Sequence, residues 1–198
     1  MTISWYGFNY FRIQNSQHSI ILNPYSLDKN NKVHKMKADV VVFSDPSKLV
    51  TNKFDKEVLV IDAPGEYEAN DVFIYGENIK GSVVYLIVFE DIKIAFLGEF
   101  GHQELTNGDL ELIEGADILI LPVGGGALSD AKEAVKIIHQ IEPRIVIPSC
   151  YSSTSLKIKA DDIAKFIKEF GVKPEEFEKF KVQKKDLPQE DMKLIILK

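Results

Sequence analysis

Residues 38–50 read Ala38-Asp39-Val40-Val41-Val42-Phe43-Ser44-Asp45-Pro46-Ser47-Lys48-Leu49-Val50. The apolar run Val40 to Phe43 is β-branched at three positions, and Pro46 stops it. Such a run predicts a strand buried on both faces that feeds directly into a loop. Polar residues just past the carboxyl end of a buried strand are where an α/β protein places its chemistry. Here they are Asp45, Ser47 and Lys48, with no histidine among them.

On the amino-terminal side the chain is strand-rich. Ile3 to Tyr6 and Tyr10 to Gln14 flank a turn at Gly7-Phe8-Asn9, and His18 to Leu22 follows, ended by Asn23-Pro24. Residues 26 to 37 are polar and read as a surface loop. Beyond the opening stretch, Glu57 to Ile61 is a further strand closed by Ala63-Pro64-Gly65. Glu66 to Glu68 and Val72 to Tyr75 pair across Asn70-Asp71, and Val83 to Phe89 pairs with Ile92 to Leu97 across Glu90-Asp91.

The second half changes period. Thr106 and Asp109 open a short helix that Gly115 closes. Asp117 to Val123 is a buried strand, and Asp130 with Glu133 caps a helix with Ala131, Ala134, Val135, Ile138 and Ile141 on its apolar face. Arg144 to Ile147 is another strand. Asp161 is the expected cap of a third helix striped by Ile163, Phe166, Ile167 and Phe170, stopped at Gly171. Two extended pieces around Leu187-Pro188 are expected in the tail. Strands first and strand–helix alternation second predict two sheets with helices outside. No repeat or linker interrupts the 198 residues, so one domain over 1–198 is expected.

Apolar content of 45% and charged content of 27% suit a globular protein. The net charge is -6, only Arg12 and Arg144 are arginine, and no basic cluster makes a nucleic-acid footprint. Lys181, Lys184 and Lys185 are followed by Asp186, Glu190 and Asp191, a solvated charged surface. The single cysteine, Cys150, excludes an intramolecular disulfide and fits a reducing compartment. Met1 to Ile13 lacks the build of a signal peptide, and no stretch reaches the ~18 apolar residues of a membrane helix. A cytoplasmic location is the expectation, with no membrane partner.

Several stretches carry candidate chemistry. Gly124-Gly125-Gly126 follows a strand and precedes a helix, but Ser129 stands where a dinucleotide fingerprint needs its third glycine, and no acid ends the next strand. It reads as a tight turn lining a cleft. Glu99 and His102 stand in a glycine-flanked loop after Ile92 to Leu97, a pair suited to metal ligation or acid–base work and equally to a plain surface loop. Cys150, just past Ile145 to Ile147, reads as a small buried residue ahead of a nucleophile with His102 as its base. His18, His34 and His139 share no ligand spacing and are read as non-functional.

Taken in order, Ile3-Ser4-Trp5-Tyr6-Gly7, Ile21-Leu22-Asn23-Pro24-Tyr25, Ala38 to Val42, Pro64-Gly65-Glu66-Tyr67-Glu68, Ile94 to Glu99, Ala116 to Gly125 and Ile145 to Pro148 resemble the metallo-β-lactamase superfamily. The likeness is to the subgroup similar to the ascorbate-6-phosphate lactonase, and Lys184-Lys185-Asp186-Leu187-Pro188 looks like its short bacterial members. The resemblance implies a four-layer αββα sandwich of the α/β (α+β) class, with a zinc or manganese site at one sheet edge. It implies a His-x-His-x-Asp-His run after the opening strand, an aspartate in a Leu-Gly-Asp turn, and a histidine after the Ile-Pro strand. Metal-bound water in such a site attacks an ester, lactone or phosphodiester.

This chain departs from that pattern. Asp45 and Ser47 stand for the first two histidines, Leu49 for the aspartate and Val50 for the third histidine. Glu99 stands at the bridging aspartate and Cys150 at the last histidine. Gly7-Phe8 replaces an early Gly-His or Gly-Gln, and Asn78 to Ser82 carries no histidine. The remnant site positions are Asp45, Ser47, Glu99, His102 and Cys150.

The leading expectation is therefore a catalytically inactive member of the fold, without cofactor, in a structural, interaction or ligand-binding role. Its partner would be a paralogue or another protein. The alternative is a metal-dependent hydrolase whose rebuilt site, around Asp45, Glu99, His102 and Cys150, holds zinc or manganese.

Overall fold

In this computed structural model the described residues are 1–24, 37–48, 54, 57–101, 105–152 and 158–198. Among them, fourteen strands form two sheets. The first sheet contains β1 (Thr2–Trp5), β2 (Phe11–Gln14), β3 (Ser19–Leu22), β4 (Val40–Val42), β5 (Leu59–Ile61) and, from the tail, β13 (Lys179–Lys181). Its order is β13-β1-β2-β3-β4-β5, antiparallel up to β3 and parallel from β3 to β5. The second contains β6 (Gly65–Ala69), β7 (Val72–Ile79), β8 (Ser82–Phe89), β9 (Ile92–Phe96), β10 (Ile118–Pro122), β11 (Ile145–Ser149), β12 (Pro174–Phe177) and β14 (Lys193–Leu197). Its order is β12-β14-β11-β10-β9-β8-β7-β6.

Side-chain alternation shows how the sheets stack. Ile20, Leu22, Val40 and Val42 belong to the main apolar cluster, together with β8, β9 and β10 of the other sheet. Phe11 meets Phe96 edge-on across the sheets, with ring centroids 6.5 Å apart. The intervening Ile21, Val41 and Phe43 point the other way and form a second cluster with Phe54. The opening strand is thus apolar on both faces because both are covered.

The turns follow their residues. Asn70-Asp71 and Glu90-Asp91 both take left-handed φ, 52° and 59° in each pair, the conformation that two-residue hairpin loops require. Of the α-helices, α1 (Asn107–Leu110) has the Thr106–Asp109 capping box, and α2 (Ala131–Ile141) that of Asp130 and Glu133. Ile137 joins the expected buried face of α2, while Val135 is half-buried. For α3 (Ile163–Phe170) the cap is Asp162, not Asp161: the Asp162 carboxylate accepts from Ala164 N at 2.8 Å. Asp161 instead meets Lys165 at 2.6 Å, one helical turn on.

The tail differs from expectation as well. It makes three extended pieces, and the first two divide between sheets: β12 pairs with β14, and β13 with β1. Glu178 alone separates them, too short a link for a pattern of apolar residues to reveal. The Lys184–Asp186 stretch is a 3-10 turn, whose Lys184 Nζ donates to the buried Asp117 carboxylate at 2.8 Å. Asp117 also accepts from Lys93 N at 2.9 Å, which ties the starts of β9 and β10 to the tail. No helix among the described residues is long and apolar enough to cross a membrane.

Candidate functional site

The carboxyl end of β4 runs into a 3-10 turn, Pro46–Lys48, that places Asp45, Ser47 and Lys48 together. The Asp45 carboxylate accepts from Ser47 Oγ at 2.6 Å and Ser47 N at 3.0 Å, and Lys48 N donates to the Asp45 carbonyl at 3.1 Å. An aspartate that bonds the backbone two residues on fixes such a turn by itself. Burial works to raise the Asp45 pKa, but the Ser47 hydrogen bonds and the Lys48 charge outweigh it and hold the carboxyl below its usual range.

Glu99 comes from the turn after β9. Lys48 Nζ donates to both of its carboxylate oxygens, at 2.6 and 2.5 Å, and lies 3.4 Å from Asp45 Oδ2. One ammonium thus sits between the two acids. Lys48 was visible in the sequence as a polar loop residue, but no role was read for it. Its signal was an i,i+3 spacing from Asp45 within a proline-started turn.

Two glycines let the loops close this tightly. A Cβ on Gly98 would stand 2.3 Å from Ser44 Cβ, and one on Gly124 would stand 1.9 Å from the Cys150 carbonyl oxygen. Ser44 is held in turn by Asn23, whose carboxamide donates to Ser44 Oγ and accepts from Ser44 N, both at 2.8 Å. Asn23 takes φ 46° at the end of β3 and so joins the ends of β3 and β4. The Gly124 turn is a close-packed wall, with Asp161 N donating to the Gly124 carbonyl at 2.7 Å.

Cys150 follows β11 with φ 58°, a left-handed conformation uncommon for a residue with a Cβ. Its N–H donates to the Phe8 carbonyl at 2.9 Å, and that carbonyl also accepts from Trp5 Nε1 at 3.0 Å. The thiol is buried, and Ser149 Oγ donates to it at 3.6 Å. Burial pushes its pKa far up; the Ser149 hydrogen bond and the Lys48 charge work against that, and the Glu99 charge adds to it. That is a neutral thiol, the opposite of an activated nucleophile.

His102, Leu49, Val50 and His34 lie outside the described residues. His139 is exposed in the last turn of α2, and His18 lies 3.6 Å from Asp39 at the other end of β4 from Asp45. Lys80-Gly81 closes the β7–β8 hairpin with φ 51° and 92°, a tight turn without a histidine.

The described residues of the site do not fit a zinc or manganese ion. Among the described residues no three His, Cys, Asp or Glu side chains are gathered as a metal group. Glu99 is engaged by an ammonium and Asp45 by Ser47. A ligand set aims its lone pairs at one point, and here that point holds an ammonium.

Residues 2–149 match the beta-lactamase superfamily domain. The chain belongs to the metallo-β-lactamase superfamily. A solved structure from Thermotoga maritima, described as a candidate zinc-dependent hydrolase of that superfamily, is 27% identical. It aligns over 100% of this chain and 98% of that one, with a TM-score of 0.83. A UPF0173 protein of Pyrococcus abyssi is 26% identical over 77% of this chain and 84% of its own length. A protein of Thermococcus onnurineus named UPF0173 metal-dependent hydrolase is 30% identical over 48% of this chain and 42% of its own length. The fold expectation therefore holds. On function, these names favour the hydrolase alternative over an inactive member of the superfamily.

Proposed function

We propose that this chain keeps the metallo-β-lactamase fold without its metal-dependent hydrolysis, and acts as a structural, interaction or ligand-binding protein. The observation behind this reading is Lys48 Nζ, bonded to both oxygens of Glu99 and 3.4 Å from Asp45. A protonated lysine has donors and no lone pair, so it cannot ligate a metal or take a proton from water. It also occupies the acid that would have to do either.

The relatives' names favour a second reading, a hydrolase with a rebuilt site using Asp45, Glu99, His102 and Cys150 with zinc or manganese. The two readings separate in one assay. Purified protein is offered carboxylic ester, lactone and phosphodiester substrates, with and without added zinc or manganese. The first reading expects no turnover above background under any condition. Turnover that needs added metal and is lost in Glu99→Gln would establish the second.

A further inference from the structure

Asp45 and Glu99 come from different loops, yet their carboxylates face a single nitrogen. We infer that Lys48 is a resident cation, a tethered ammonium at the point where a divalent ion would bridge these two carboxylates. The inference rests on the non-metal reading above and gives that reading a physical cause.

Two carboxylates gathered on one point repel unless a cation stands between them, and Lys48 is that cation. The ammonium donates to Glu99 Oε1 and Oε2 and pairs with Asp45 Oδ2 at 3.4 Å. Its position follows from the backbone, because the Pro46–Lys48 turn is locked by Ser47 and by Lys48 N on the Asp45 carbonyl. Lys48 thereby ties the loop after β4 to the loop after β9, the cross-link that a bridging metal would otherwise make. A covalently attached cation competes with a free ion at an effective concentration on the order of millimolar.

The Lys48 side chain is 37% exposed and that of Glu99 19%, so solvent screens much of the pair's contribution to stability. The informative readout is therefore the response to metal. Removing the ammonium takes the positive charge from beside three carboxylate oxygens, Asp45 Oδ2 and both of Glu99. A hard divalent cation is held by one or two carboxylates and water.

The experiment compares melting of wild type, Lys48→Met, Lys48→Arg and the triple variant Asp45→Asn/Lys48→Met/Glu99→Gln, with manganese chloride and with EDTA. Lys48→Met is expected to melt about 3 °C lower in EDTA, and manganese should raise its Tm in a saturable way. Wild type, Lys48→Arg and the triple variant should show no manganese response, and the triple variant should recover stability. If Lys48→Met folds only with manganese, that also supports the inference. A Lys48→Met protein without a manganese response, or a triple variant as unstable as the single one, overturns it. A saturable manganese response in wild type overturns the underlying functional reading instead.

Discussion

Lys48 and Cys150 show how single residues set what the site can do. At Cys150, left-handed backbone, burial and a serine donor hold a thiol that does not ionise near neutral pH. Labelling with a maleimide or disulfide reagent should thus be negligible in native protein and complete in denaturant. Fast labelling of the folded protein would revive Cys150 as a nucleophile. Asp45 gives a pH prediction. Its folded pKa is depressed, so its contribution to stability is present above the unfolded carboxylate value, about pH 4, and is lost as pH falls through the folded value. Asp45→Asn should therefore flatten the acid limb of a stability profile below about pH 4 and leave the neutral region's slope unchanged. An unaltered acid limb would remove Asp45 from the account.

At the scale of elements, glycine positions decide how closely the site loops approach. Gly124 packs its α-carbon on the Cys150 carbonyl, and a methyl there would lie at 1.9 Å from backbone oxygen. Backbone cannot rotate away as a side chain can, so Gly124→Ala should cost about 3 kcal/mol in urea unfolding. A loss under about 1 kcal/mol would mean that the turn relaxes freely. The elements themselves were legible in the sequence where local rules act alone: the hairpin turns at Asn70-Asp71 and Glu90-Asp91, and the boxes Thr106–Asp109 and Asp130–Glu133. The cap of α3 was misread by one residue because Asp161 and Asp162 are adjacent and both are plausible caps. Only the backbone shows that Asp162 accepts from Ala164 N, while Asp161 turns to Lys165. The division of β12 and β13 between two sheets was not legible either, since pairing partners distant in sequence leave no local mark.

At the scale of the whole molecule, the two-sheet sandwich follows from apolar runs and their order, and the family match over residues 2–149 agrees with it. The gathering of Asp45 with Glu99 is a tertiary fact; the sequence carried it only through resemblance to a family. What resemblance did not supply was the ammonium between them. The scaffold was conveyed by hydrophobic pattern, whereas the site depends on one long side chain reaching across loops 51 residues apart. The most direct test of the account is elemental analysis of the native protein, purified without chelator and without added metal. The account predicts zinc, manganese and iron far below one equivalent per chain. One tightly held equivalent of any of them, lost on Glu99→Gln, would contradict it.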